Sequence, residues 1–300
     1  LSKQQPAERS LLKYLFKSED IDGMKKILLF VLAFIVTAFV SPIIRYYLIG
    51  ILRFLAAPAW LIAVLVPVVT WLIGFVVLLL LFLKPLMLQD YLKKQEFVAV
   101  EPDEFPQLDV KSLQQYTNAL ESAGFAKLID FTVICGKQKS GFARLFFHPK
   151  HYCWAEVNQI VLSGRLMPVA VTIISTLEPD WSLSTTDRKT SGFLLGLIYL
   201  LGHPRSLWIN QPSVTPSKLL QIHLQRLRQI ANTLTLEVTE LSDASPDAYF
   251  DFQRRERIKR KQAFQRKNMI FGIAEVLLFT VNPKQEWMGE YGDAAATKMR

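Results

Sequence analysis

The sequence predicts a membrane-anchored α+β protein: a two-helix transmembrane hairpin, then an antiparallel five-stranded meander with covering helices and a basic C-terminal helix. Three observations carry this expectation. Two long runs near the start hold no charge, alternation with period two dominates 128–185, and cations crowd into 254–267. The composition agrees, with 51% hydrophobic and 20% charged residues and a net charge of +9 over 300 residues. Typical globular domains carry roughly 25% charged residues. Disorder, collagen-like repeats and a small disulfide scaffold are excluded.

Segment 1–26 is a lysine-bearing leader, and the hairpin occupies 27–94. Residues 27–44 are uncharged; as a helix they reach roughly 27 Å, near the hydrocarbon thickness of a bilayer. Residues 54–83 are also uncharged, and a second span over 57–83 fits with tilt or with a kink at Pro67. Arg45 and Arg53 bracket a short tip, with Tyr46, Tyr47 and Trp60 as interface aromatics. Seven lysines flank the outer ends of the spans (Lys13, Lys17, Lys25, Lys26, Lys84, Lys93, Lys94) against two arginines at the tip. That asymmetry places both termini on the cytoplasmic side of a multi-pass membrane protein. The spans hold no Asp, Glu, Lys or His, which argues against a proton pathway.

Residues 95–109 read as a linker, because EPDEFPQLD joins two prolines to four acids. An α+β domain follows over 110–241. Asp109 caps a helix over 110–123, where Val110, Leu113, Tyr116 and Leu120 share a face and Gly124 stops the run. Residues 128–135, 142–148, 152–162, 169–177 and 181–185 read as strands joined by short turns, hence antiparallel. Residues 192–202 are apolar on every side but too short to span. Thr215 and Pro216 then open a helix whose leucine stripe faces the core. The last region, 242–300, is helical from about 249 to 281.

Little catalytic chemistry is legible. There is no phosphate loop, HExxH, CxxC or GxSxG. One local cluster has metal-ligand chemistry: His148 and His151 flank a turn and Cys153 follows, a set suited to zinc or copper. The competing reading is a solvated turn with a core cysteine. Between Arg254 and Lys267 lie eight cations (Arg254, Arg255, Arg257, Lys259, Arg260, Lys261, Arg266, Lys267) and one acid, Glu256. Such a run suits anionic lipid or an acidic protein surface. Nucleic acid is disfavoured, because only Phe252 and Phe264 offer stacking faces nearby.

The expected function is a non-enzymatic binding, scaffold or assembly role at the membrane, with the bilayer and another membrane protein as partners. A membrane-anchored enzyme acting on a lipid or through a metal is the alternative, and a channel or transporter subunit is the third.

Overall fold

The computed structural model describes residues 42–92, 95–135, 138–162, 165–239 and 244–292. Two compact units divide the chain, Leu1–Asp90 and Tyr91–Arg300.

In the first unit, residues 42–54 form helix α1, a turn occupies 55–58, and helix α2 runs over Ala59–Leu92. This corrects the expected hairpin. Most of the first run, 27–41, lies outside the described residues. The expected tip between Arg45 and Arg53 is continuous helix, and the chain turns later, where Ala56 takes a φ of 53°. The second run does not end at 83. Helix α2 continues through Lys84, Pro85 and Asp90 and carries Pro67 inside it. Among the described residues no helix is long and apolar enough to cross a membrane. The two-span anchor, the multi-pass localisation and the integral-membrane role built on them are therefore not supported.

The second unit is an α+β fold on a larger sheet than the expected meander. Its elements are β1 (Gln95–Ala99), α3 (Val110–Ser122), β2 (Ala126–Cys135), β3 (Gln138–Lys139), β4 (Gly141–His148), β5 (Cys153–Leu162), β6 (Arg165–Leu166), β7 (Ala170–Leu177), β8 (Trp181–Thr186), α4 (Gly192–Leu200), β9 (Ser206–Asn210), α5 (Pro216–Leu234), α6 (Pro246–Arg266), α7 (Met269–Val281) and β10 (Glu286–Trp287). The sheet runs β1-β2-β4-β5-β7-β8-β9-β10, with β3 beside β2 and β6 beside β5. The five expected strands form its centre. Three strands extend it: β1 from the expected linker, and β9 and β10 at the far edge. The pair β8–β9 is parallel, which requires a crossover, and the chain between them contains α4.

Local chemistry explains the helix starts. Asp109 accepts a hydrogen bond from the Ser112 backbone N–H at 3.0 Å, so it caps α3 as its position predicts. Pro216 occupies the first turn of α5 after Thr215. Ser245 caps α6 and Pro246 follows.

Helices α3 and α5 cover one sheet face, burying Leu113, Leu120, Leu219 and Leu220 against Phe142, Phe146, Val157 and Val171. The leucine stripe of α5 is thus a core face. The opposite face is covered by α6, with Tyr249, Phe250 and Phe252 packed on Phe131, Leu145, Phe147 and Trp154.

Beneath α5 lies His223, fully buried. Its Nε2 and Nδ1 each sit 2.9 Å from a hydroxyl, Ser175 Oγ and Thr185 Oγ1. Burial pushes its pKa down to about 3, below the ordinary value of about 6.5. The unfolded chain therefore takes up this proton first. The neutral ring's contribution is intact above about pH 6.5 and is lost as pH falls toward 3. From pH 7 to pH 5 this group alone removes about 2 kcal/mol. Denaturant melts at the two pH values should show that loss in the wild type. His223→Gln, whose amide serves both hydroxyls, should lose that much less. An equal pH effect in the variant contradicts the assignment.

Candidate functional site

The face under α6 changes character along the sheet. Toward β2 and β4 it is apolar. Toward β8 and β9 it turns polar: Glu156 on β5, Thr172 on β7, Ser184 on β8 and Ser206 on β9 all border one cavity of about 360 Å³. Strand geometry dictates this, since alternate residues share a face. On β5, Ala155 and Val157 enter the core beneath α3 and α5 while Glu156 points the other way. On β8, Leu183 is core and Ser184 faces the cavity.

Helix α6 forms the roof with Tyr249, Phe252, Gln253 and Arg260. Trp208, Trp287, Ile198 near the end of α4 and Leu201 just after it close the sides. Gly202 belongs to this wall, because a Cβ there would lie 2.8 Å from the Trp287 ring. The volume is at the small end of ligand pockets.

Glu156 is the focus. One carboxylate oxygen accepts from the Tyr249 hydroxyl and the other from the Asn158 amide. Gln253 Nε2 in turn donates to the Tyr249 hydroxyl at 2.7 Å. Burial, then the Glu156 charge, push the Tyr249 hydroxyl far above the ordinary tyrosine range, so it stays a donor at neutral pH. Arg188 donates to the Asn158 side-chain oxygen Oδ1 and lies outside the cavity lining. Among the described residues, Glu156 makes no ion pair. Two neutral donors thus orient a half-buried carboxylate toward an aromatic-walled space, with the Arg188 guanidinium behind Asn158 close enough to feel its charge.

Glu256, one turn along α6 from Phe252, is buried and differently placed. It accepts from Ser182 at 3.2 Å and from Ser206, and pairs with Lys259 at 2.9 Å. Burial raises its pKa, but the hydrogen bonds from Ser206 and Lys259 outweigh that and hold it below the ordinary carboxylate range. Lys259 also bridges to Asp180 at 2.5 Å. This cluster ties α6 to β8 and β9 and fixes the roof.

The eight cations of the 254–267 run have different surroundings along α6 and just after it. Arg254 pairs with Asp251 at 2.6 Å and lies over the Phe97 ring. Lys259 is held as above, and Lys267 pairs with Glu275 at 3.1 Å. Arg260 borders the cavity. Arg257 and Lys261 are half-buried, while Arg255 and Arg266 are exposed.

The histidine turn has a different geometry from the one expected. His148 pairs directly with Cys153 across the hairpin, so the loop spans 149–152 rather than two residues. The His148 and His151 rings lie 4.5 Å apart. His148 Nε2 is 3.2 Å from the Ala123 carbonyl, and Nδ1 accepts from the Lys150 backbone N–H at 3.2 Å. Both ring nitrogens therefore have backbone partners. Cys153 is fully buried, and burial pushes its thiol up to about 12. Among the described residues no group of three or more His, Cys, Asp and Glu is gathered as a metal site.

The cavity was not legible in the sequence. Glu156 and Ser184 stood at the polar positions of alternating strands, where a solvent-facing role is the default. Comparison with protein-family models, curated proteins and solved structures finds no match.

Proposed function

We propose that the α+β unit is a binding domain for a small zwitterion held in the cavity under α6. The observation that carries this is the Glu156 carboxylate, fixed by two neutral donors, without an ion pair among the described residues and facing aromatic walls. A carboxylate in a space of low dielectric attracts a cation more strongly than one in bulk water. Aromatic faces add to that attraction for ammonium groups. Trp208, Phe252 and Trp287 supply those faces, and Arg260 on the same cavity supplies a partner for an acidic group at the ligand's other end. Gln253, Thr172 and Ser184 add uncharged hydrogen-bonding groups.

The chemistry discriminates among three probes. Glycine betaine carries both charges, choline only the cation and acetate only the anion. Tryptophan fluorescence of the full chain, read through Trp208 and Trp287, should respond to betaine most strongly, to choline less, and to acetate least. A response to acetate equal to that for betaine, or none to any probe, contradicts the proposal.

A further inference from the structure

Helices α4 and α7 form an antiparallel pair unlike the rest of the domain. Gly192 lies beside Thr280, Gly196 beside Val276 and Gly272 beside Leu200, so the order reverses along the contact. A Cβ at Gly272 would sit 2.5 Å from Leu200 Cδ1, and one at Gly196 3.1 Å from the Val276 carbonyl oxygen. These glycines let two apolar helices approach closely, as small residues do in lipid-facing helix pairs. Tyr199 and Phe279 meet across the pair with ring centroids 4.3 Å apart and planes tilted by 41°.

Among the described residues the outer side of α7 is uncovered. Phe271 is 70% exposed, Leu277 62%, Leu278 70% and Val281 86%. At about 100° per residue these positions fall within one third of the helix circumference. A contiguous patch of large apolar side chains is a contact surface rather than a solvated one.

The charges around it identify the partner. Glu275 is the only acid on either helix, and Lys267 neutralises it. Lys189 precedes α4 by three residues and Lys284 follows α7 by three. Because the pair is antiparallel, both lysines extend from the same end. Arg266 stands just before α7 at the other end, and all three cations are exposed. The patch is therefore apolar along its length and cationic at both ends. Packing against a second copy would oppose cation to cation whichever way the two faces met.

We propose that α7 lies on an anionic lipid surface, its exposed face among the acyl chains and Lys189, Arg266 and Lys284 among the headgroups. This is a helix resting in the interface, not one that crosses. It does not depend on Glu156 or on the cavity.

An environment-sensitive fluorophore on Leu278→Cys tests it. The full chain would be used with Cys135→Ser; the buried Cys153 thiol stays protonated and unreactive. Vesicles of phosphatidylcholine with phosphatidylserine should shift the emission to the blue, and nitroxide lipids should quench it. Each cation near an anionic surface contributes about fivefold to partitioning. Lys189→Gln, Arg266→Gln and Lys284→Gln together should weaken this response about 100-fold while leaving the melting temperature unchanged. An equal response to pure phosphatidylcholine, or no response to either vesicle, overturns the proposal. So does a blue shift that needs only higher protein concentration, which would assign the face to a second copy.

Discussion

Asp130→Ala is expected to destabilise the α+β unit by about 3–5 kcal/mol. Asp130 and Arg144 are both nearly buried, at 7% exposure each, on paired strands β2 and β4. The guanidinium reaches both carboxylate oxygens, Nε at 2.7 Å and Nη2 at 2.8 Å, and its Nη1 donates to the Thr117 hydroxyl of α3 at 3.0 Å. Burial raises the Asp130 carboxyl, but the hydrogen bonds from Arg144 and Lys127 outweigh it and hold the pKa below the ordinary value. Removing the acid leaves a buried guanidinium without its counter-charge, and that uncompensated charge dominates the cost. A double change, Asp130→Leu with Arg144→Met, should recover much of the loss because no buried charge is stranded. Urea melts of the wild type, the single variant and the double variant check this. A single-variant loss under 1 kcal/mol would mean the pair is solvated.

Gly141→Ala should cost a comparable amount, about 2–5 kcal/mol, from two sources. Gly141 opens β4 with a φ of 130°, a conformation that side chains rarely adopt. A Cβ there would also lie 2.2 Å from the Gln159 carbonyl oxygen and 2.8 Å from the Ile160 Cα. Both obstacles are backbone of the neighbouring strand, so neither can rotate away, and relief requires the β4–β5 ladder to open at Gly141–Ile160. Overpacking of this kind costs about 1–3 kcal/mol, and the unfavourable dihedral adds about 1–2 kcal/mol. A calorimetric melt of the variant should show the loss, and hydrogen exchange should show it first at Phe142 and Ile160. Gly50 is the control, since nothing lies within 4 Å of a Cβ there.

These two sites bear on what a sequence reveals. The 110–123 helix, its Asp109 cap and the Thr215–Pro216 start were legible because each is written in adjacent residues. The central strands were legible from alternation. β1 was not, because Gln95–Ala99 adjoins an acidic, proline-bearing stretch whose composition reads as linker; its pairing with β2 across more than thirty residues fixes it as a strand. The parallel β8–β9 pair was hidden for the same reason: short turns favour antiparallel neighbours, and nothing local marks Ser206–Asn210 as the partner of Ser182–Thr186. Hydropathy counts uncharged residues and misjudged the first unit, where the helix boundaries fall at 55–58 and beyond Lys84. The charge run was legible, but the acids that pair with Arg254, Lys259 and Lys267 were not. Glu156 becomes distinctive only when α6 folds back over β5 and turns a strand's polar side into the floor of a cavity.

The most direct test is calorimetric titration of glycine betaine into the full chain and into Glu156→Gln. Gln is close in size to Glu and removes the charge; its single amide oxygen keeps one of the bonds from Tyr249 and Asn158, and its NH2 replaces the other acceptor. Betaine should bind the wild type at least tenfold more tightly than Glu156→Gln, both titrated well below their melting temperatures, as expected when a half-buried ionic partner is lost. Equal affinity in the two proteins would contradict the assignment of Glu156 as the ligand's anchor.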